Sequence, residues 1–396
     1  MTNDQIRAEV RQWLEQNWHK DVPVRASSFG RDPRGPWLTK VVEARWAVPR
    51  WPEAWFGRGF NDEQARIVEA EFSAVGAPGT GQDRTNLWAN TALKFATESF
   101  KKEIIPKLLA GGVGMCLLYS EPGAGSDLAA VRTRADRQGD EFVVTGQKVW
   151  TSGAHLADYG MLLARTDWDV PKHKGLSFFF LPMKQKGVEV RPLHQVTGES
   201  HFNEVFIDNA VVPEANLLGP LNGGWAVLQT ALAYERSVMG DMSRGTRSQA
   251  ETPGKGNPLV ELARDMGKLD DPAVRQRLAQ IVSYRMLNRL NTQRGKAELG
   301  QGTSSPIMSL GKLAMSRILH QEASLRLDLL GAEGLLDGEQ NQRADEANFL
   351  ALDAYFTSIG GGTDQIQRNI IGERLLGLPR EPEVDRDIAF REVRAG

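Results

Sequence analysis

The hydrophobic period of this chain changes twice, and that double change limits the folds open to it more than any other feature. Residues 4–19 carry Ile6, Val10, Trp13 and Leu14 at helical spacing, and helical patterns continue over 62–76 and 85–110. An aromatic, Pro/Gly-rich loop, AVPRWPEAWFGRGF (47–60), separates the first pair. From about 115 the period shortens. MCLLYS, EFVVTGQKVW, YGMLLART, LSFFFLPM, VEVRPL and FNEVFIDNAVV are short, β-rich runs punctuated by Gly, Asp, Asn or Pro, as in an antiparallel sandwich or barrel. After Trp225 the helical pattern returns through 225–242, 258–267, 271–299, 305–331, 342–358 and 363–376. The polar, Gly/Pro-rich stretch 243–258 reads as a mobile insertion between helices. The expected fold is α+β: a helical domain over 1–114, a β-domain over 115–220 and a helical bundle over 221–396.

Bulk properties narrow the function classes. At about 100–200 residues per domain, 396 residues suggest two or three domains. A net charge of −2 offers no general field for nucleic acid or an anionic membrane. Cys116 is the single cysteine, which excludes an intramolecular disulfide and fits a reducing compartment. No apolar run reaches the ~18–20 residues of a membrane span, and the amino-terminal stretch lacks a secretory apolar region. The expectation is a cytoplasmic protein with neither nucleic acid nor a membrane span among its partners. Six scattered histidines show no metal-ligand spacing. His155, close to Trp150, reads as a loop histidine, and Cys116 as core.

Two strings carry chemistry. In YSEPGAGSD (119–127) the glycines let backbone N–H groups approach a ligand, and Ser120 and Ser126 add hydroxyls. In GQKVWTSGA (146–154), placed after the next strand, Trp150 supplies a flat apolar face and Ser152 a donor. Taken singly, the first is also compatible with a Gly/Ser turn, and the second with a tryptophan capping a barrel.

Together and in this order, the strings resemble the flavin-binding β-domain of the acyl-CoA dehydrogenase family. The resemblance continues through VFIDNAVVPEANLLG (205–219), AYERSVMG (233–240) and GGTDQIQRNIIGERLLGLPR (361–380), and so covers nearly the whole chain. It implies an acyl-CoA dehydrogenase-like fold and FAD as cofactor. It also implies an acyl-CoA thioester as substrate and an electron-transfer flavoprotein as electron acceptor. Carried over by motif, Tyr119, Ser120, Gly125 and Ser126 border the flavin and thioester. Trp150, Thr151 and Ser152 line the ring, and Thr363, Asp364 and Gln365 open a helix that contacts FAD. Ser126, Tyr234, Arg236 and Gly362 face the substrate. Thr363 is also a plausible N-cap on its own terms.

The implied reaction needs a carboxylate to take the α-proton, and many family members place it just before the Gly-Thr of the last motif. Here that place is Gly361, whose N–H is left to donate to the thioester carbonyl. Other members put the base on the helix after the β-domain, before an arginine, where this chain reads Tyr234-Glu235-Arg236. Leu228, Leu232, Glu235 and Met239 share one helical face, so Glu235 stands with the apolar stripe. A carboxylate there has a raised pKa unless paired, which suits a base. An ion pair inside the bundle is the competing reading, and the resemblance favours the base.

Two departures bear on FAD. The family's Arg-x-x-Phe-Gly segment is missing from ETPGKGNPLVELARDMGKLDDPAVRQRLAQ. Its Gln followed by a Gly-Gly-x-Gly loop is replaced by Asp328-Leu-Leu-Gly331-Ala-Glu-Gly334. Acidic groups aimed at a pyrophosphate repel it. The implied assembly is a homotetramer or dimer, or a heterotetramer in which a homologous subunit completes the FAD site. That second form is similar to family members acting on sterol and branched thioesters. A scaffold subunit of such a heteromer, and an acyl-CoA oxidase or flavin monooxygenase on the same fold, are the alternatives.

Overall fold

The computed structural model describes residues 1–23, 30–242, 257–300 and 307–393, except the side chains of 235–242, 296, 298–300, 308 and 339. The chain forms two compact units, one of residues 1–195, 200–238 and 384–396, the other of 196–199 and 239–383.

The first unit opens with helices α1 (Asn3–Asn17), α2 (Gly35–Glu43), α3 (Asp62–Val75), α4 (Gln82–Thr85), α5 (Leu87–Phe95) and α6 (Glu98–Leu109). Thr2 and Gln5 form a capping box on α1, and Asn61 and Gln64 form another on α3. Ile6, Val10 and Leu14 are buried and Trp13 packs beside them, as the helical spacing requires. The stretch 85–110 is not one helix. The Asn86 side chain accepts from Ala89 N and the Thr97 side chain from Phe100 N, and each starts a new helix inside a continuous apolar pattern. Helix α2 went unread, although Pro36 near its start and buried Trp37, Leu38, Val41 and Val42 mark it.

The 47–60 loop is tied down by charge and packing. Arg50 reaches Asp62 at 2.7 Å, Glu69 at 2.6 Å and Asp83 at 3.0 Å. The Arg58 guanidinium lies 3.3 Å from the centre of the fully buried Trp46 ring.

Next come strands β1 (Met115–Leu118), β2 (Arg134–Gln138), β3 (Glu141–Ser152), β4 (Tyr159–Arg165), β5 (Leu176–Pro182), β6 (Val188–Pro192), β7 (Phe202–Pro213) and β8 (Leu217–Leu218). They form one sheet in the order β6-β7-β3-β2-β4-β5-β8, with β1 beside β4. Most pairings are antiparallel; β1 with β4 and β2 with β4 run parallel. Strands β4 and β5 are buried on both faces. Met161, Leu163, Phe178 and Phe180 join the core shared with the helices, while Leu162, Ala164, Phe179 and Leu181 join the core on the other side. That double burial is why LSFFFLP reads as an unbroken apolar run. Cys116 sits in this second core, and burial pushes its thiol pKa up. Helix α7 (Gly224–Met242) follows the sheet.

The second unit contains α8 (Pro258–Asp265), α9 (Pro272–Gly300), α10 (Ile307–Leu330), α11 (Gln342–Ile359) and α12 (Asp364–Ile370). Leu259, Leu262, Leu278, Ile281, Leu325 and Leu329 form its core. The expected insertion at 243–258 lies outside the described residues, apart from 257 and 258. Among the described residues no helix is long and apolar enough to cross a membrane.

Gly57 tests the rigidity of the 47–60 loop, because a Cβ there would stand 1.9 Å from the Trp51 carbonyl oxygen. Gly57→Ala is expected to destabilise the fold by about 1–3 kcal/mol, measured by urea unfolding. An unchanged midpoint would mean that the loop yields.

Candidate functional site

The two chemistry-bearing strings lie side by side in the first unit. Strand β1 delivers YSEPGAGSD, whose Ser120 carbonyl accepts from Val149 N at 2.9 Å. Glu121 and Ala124 exchange backbone hydrogen bonds of 2.9 and 3.0 Å, closing a tight turn over Pro122 and Gly123. GQKVWTSGA does not follow a strand, as the sequence suggested, but belongs to β3 itself.

A buried ion pair joins the strings. Lys148 is fully buried, and its Nζ donates to the Tyr119 carbonyl at 3.0 Å, to Glu121 Oε1 at 2.8 Å and to the Leu163 carbonyl at 2.8 Å. All three ammonium donors are thereby satisfied. Glu121 also accepts from Arg132 N at 2.7 Å, Thr133 N at 2.9 Å and Thr133 Oγ1 at 2.6 Å. Burial raises the Glu121 pKa, but the Lys148 charge and these donors outweigh it and hold the carboxyl below its usual range. Neither residue stood out in the sequence. The available signal was a lysine on an inward position of an alternating strand, matched to an acid within a Gly/Pro turn.

Beyond Lys148 the strand bulges. The β3–β7 register shifts between Lys148 and Thr151, and Trp150 takes a φ of +60°, a left-handed conformation strained for a bulky residue. The bulge turns Trp150 outward: its ring is 62% exposed and meets Phe202 edge-on at 6.1 Å. Thr151 next to it is buried, its carbonyl accepting from Asn203 Nδ2 at 2.9 Å. Its Oγ1 is buried with no hydrogen-bond partner among the described residues. Ser152 is half-buried and Ser126 exposed. A Cβ built at Gly123 or Gly125 would meet nothing within 4 Å, so the turn leaves open space for a ligand. Tyr119 and Ser120 thus bond through their carbonyls to Lys148 and Val149, just before Trp150, Thr151 and Ser152, while Gly125 and Ser126 are exposed beyond the turn.

On α7, Tyr234 packs half-buried against the helical core, and burial pushes its phenol pKa up. Position 235 falls one turn after Ala231 and two after Leu228, both fully buried. The side chains of Glu235 and Arg236 lie outside the described residues.

The last string belongs to the second unit. Gly361 and Gly362 take φ of +65° and +89°, and Thr363 caps α12, its hydroxyl accepting from Ile366 N at 3.2 Å. The Asp364 carboxylate is engaged within the bundle, by Ser316 Oγ at 2.8 Å and Lys312 Nζ at 3.4 Å. Gln365 is exposed, whereas the buried Gln367 donates to the Gly361 and Gly362 carbonyls at 3.4 Å each. Asp328, the acidic residue of the altered Gly loop, pairs with Arg277 at 2.6 Å.

No amino-acid side chain accepts a hydride, so dehydrogenation on such a face requires a bound redox group. The outward Trp150 ring beside the unpartnered Thr151 hydroxyl fits the flat, polar-edged body of a flavin. The chain belongs to the acyl-CoA dehydrogenase family, whose N-terminal, middle and C-terminal domains match residues 2–112, 116–210 and 222–376. It is accordingly an oxidoreductase of an FAD-dependent family. It is 38% identical over 341 residues to the acyl-CoA dehydrogenase FadE34 of Mycobacterium tuberculosis, covering 84% of this chain but 45% of that protein. Similarity to the acyl-CoA dehydrogenase IpdE1 of the same organism is 34% over 397 residues, covering 96% of this chain and 98% of IpdE1. Among solved structures, the Tcur3481–Tcur3483 steroid ACAD matches with a TM-score of 0.70 and 28% identity, covering 96% of this chain and 98% of that one. The ChsE4–ChsE5 complex from Mycobacterium tuberculosis matches with a TM-score of 0.67 and 26% identity, with the same coverage.

The ion pair gives a direct test. Lys148→Met leaves the Glu121 carboxylate buried without its counter-charge and is expected to destabilise by about 3–5 kcal/mol. Glu121→Gln combined with Lys148→Met should recover part of that loss in urea unfolding. Losses of the Lys148→Met and Glu121→Gln single variants that simply add up in the double variant would show that the two residues act independently.

Proposed function

We propose that this chain oxidises the Cα–Cβ bond of a CoA thioester to the 2-enoyl thioester, with Glu235 taking the α-proton. FAD, when bound, supplies the acceptor for the β-hydride at flavin N5. The observation that carries this reading is the face formed by Trp150 and Thr151, an outward ring on a strained bulge beside a buried hydroxyl without a partner. Thr151 and Ser152 offer hydroxyls to the ring's polar edge, Trp150 covers a face of it, and Ser120, Gly125 and Ser126 border the ring and thioester. Thr363, Asp364 and Gln365 contact FAD from the start of α12.

The base position rests on two residues. At Gly361 the φ of +65° is one a glutamate adopts only with strain, so this backbone suits glycine rather than the base that many family members carry there. At 235 the register continues the face of Leu228 and Ala231. A carboxylate on an apolar face resists ionisation in the free state and gains from taking a proton, which suits α-proton abstraction. The Gly361 N–H then donates to the thioester carbonyl as enolate charge develops. Arg236, Tyr234, Ser126 and Gly362 orient the ligand. In this reading the chain divides into a helical domain over 1–114, a β-domain over 115–220 and a bundle over 221–396. The enzyme works in the cytoplasm and passes its electrons to an electron-transfer flavoprotein.

The likeness to the Tcur3481–Tcur3483 and ChsE4–ChsE5 assemblies supports a homologous partner subunit and a bulky, steroid-derived acyl group. Purification with and without a co-encoded homologue tests the first point through flavin absorbance. A screen of straight, branched and steroid thioesters with an artificial acceptor tests the second. Glu235→Gln should retain flavin and thioester binding yet lose about 10²–10⁴-fold in turnover. Near wild-type turnover would assign the proton to another group.

A further inference from the structure

The segment 384–393 returns to the first unit and docks beside the flavin-facing strings. Its anchor is Phe390, which is fully buried. Phe390 N donates to the Val170 carbonyl and Arg391 N to the Trp168 carbonyl, both at 3.0 Å. Arg391 also pairs with Asp169, and Arg132 Nη2 donates to the Val393 carbonyl at 3.1 Å. Lys172 bridges Asp385 at 3.3 Å and Asp127 at 2.9 Å, linking the segment directly to the end of YSEPGAGSD.

Against the Phe390 ring lies Arg165, fully buried, with its guanidinium carbon 3.4 Å from the ring centre. Arg132 approaches the same ring at 5.0 Å, and Trp168 stands 5.5 Å away. Among the described residues Arg165 has no carboxylate partner. It donates instead to the carbonyls of Ala129 at 2.6 Å, Val131 at 3.2 Å and Lys172 at 3.1 Å. Glu121, Asp127 and Asp167 act on its charge without a direct ion pair, so carbonyls and an aromatic face must replace water around the buried cation. Phe390 supplies that face. One of these carbonyls, that of Val131, belongs to the peptide that supplies Arg132 N, and Arg132 N and the next amide, Thr133 N, both donate to Glu121. Glu121 in turn holds Lys148, two residues before Trp150.

We propose that Phe390 is a positioning residue for the flavin face, acting through Arg165, the 129–133 segment and the Glu121–Lys148 pair. This rests on the reading of that face as the flavin site. The segment touches neither substrate nor redox chemistry; it fixes where Trp150, Thr151 and Ser152 stand. Displacements of that kind typically weaken a site by about 10–100-fold.

The test uses the full chain, with its homologous partner where flavin binding requires one, and three replacements. Phe390→Ala and Phe390→Leu both remove the aromatic face, Leu keeping most of the apolar volume, while Phe390→Tyr keeps the face. Expected is an FAD dissociation constant raised at least about tenfold for Ala and Leu and near wild type for Tyr. Amide exchange should rise over 119–133 and 146–152 and stay unchanged in α1 and α3, helices of the same unit, which reports that its fold persists. Wild-type flavin affinity in the Ala variant, or a Leu variant that binds like wild type, would overturn the proposal, the second by showing that packing alone suffices. If the wild-type protein binds no FAD, the functional reading fails first. Amide exchange alone then decides whether 384–393 orders the two strings.

Discussion

The surface that carries Trp150 and Thr151 hangs on one ammonium group. Lys148 Nζ holds the Tyr119 carbonyl at the end of β1, the Leu163 carbonyl on β4 and the Glu121 carboxylate in the turn between them. Burying an ammonium without partners would cost several kcal/mol or more. With three acceptors and one opposite charge the position becomes tolerable, and it is then highly specific. The adjacent bulge continues the same logic. Once Lys148 is fixed inward, the shift before Thr151 turns Trp150 out to solvent and leaves Thr151 buried. The strain at Trp150 is therefore held in place by a charge two residues away.

The sequence and the structure agree where periodicity alone decides and part where tertiary contacts do. The β runs from 115 to 212 were legible because β4 and β5 are covered on both faces and read as solid apolar blocks. The amphipathic stripe of α1 and the Thr363 cap were legible for similarly local reasons. The parallel pairing of β1 and β2 with β4 was not, because strand direction is set by connections rather than by pattern. Strand β2, RADRQ, is charged and edge-like in composition and left no β signature. In the candidate site, YSEPGAGSD and GQKVWTSGA stood out as strings, whereas Glu121 and Lys148 did not. Their importance lies in a contact between two strings rather than within either. Arg165 and Phe390 are the extreme case: a lone arginine in a strand and a phenylalanine near 390 carry no shared local signal.

In the proposed mechanism the last motif and α7 divide the work that one residue performs in many family members. Left-handed backbone at Gly361 and Gly362 is accessible to glycine at little steric cost and is expensive for other residues. A chain that builds this turn with three glycines gains a close backbone approach and loses a side-chain base there. The proposed base, Glu235, falls in sequence one turn after Ala231 and two after Leu228, both buried. The two features are coupled by chemistry, since a glycine at 361 makes sense in a dehydrogenase only if the proton has another acceptor.

The chain path adds a constraint that neither site nor sheet reveals alone. The second unit is spliced into the first, which is completed only when 384–393 returns to lie against residues 127–172. The hydrogen bond from Arg132 to Val393 spans 261 positions of sequence. Closing so long a loop from an unstructured chain costs about 5 kcal/mol of entropy in the simplest polymer estimate, since the cost grows only with the logarithm of length. A folded second unit shortens the effective loop and lowers that figure. The return segment is thus expected to dock late in folding, after both units exist. The aromatic face that Arg165 needs comes from the part of the described chain that arrives last. Until it docks, a buried cation lacks one of its supports, and the segment bearing the Glu121 donors is correspondingly less fixed. If Phe390 acts as proposed, the expected order of assembly runs from helices and sheet, through the return of Phe390, to the final setting of Trp150 and Thr151.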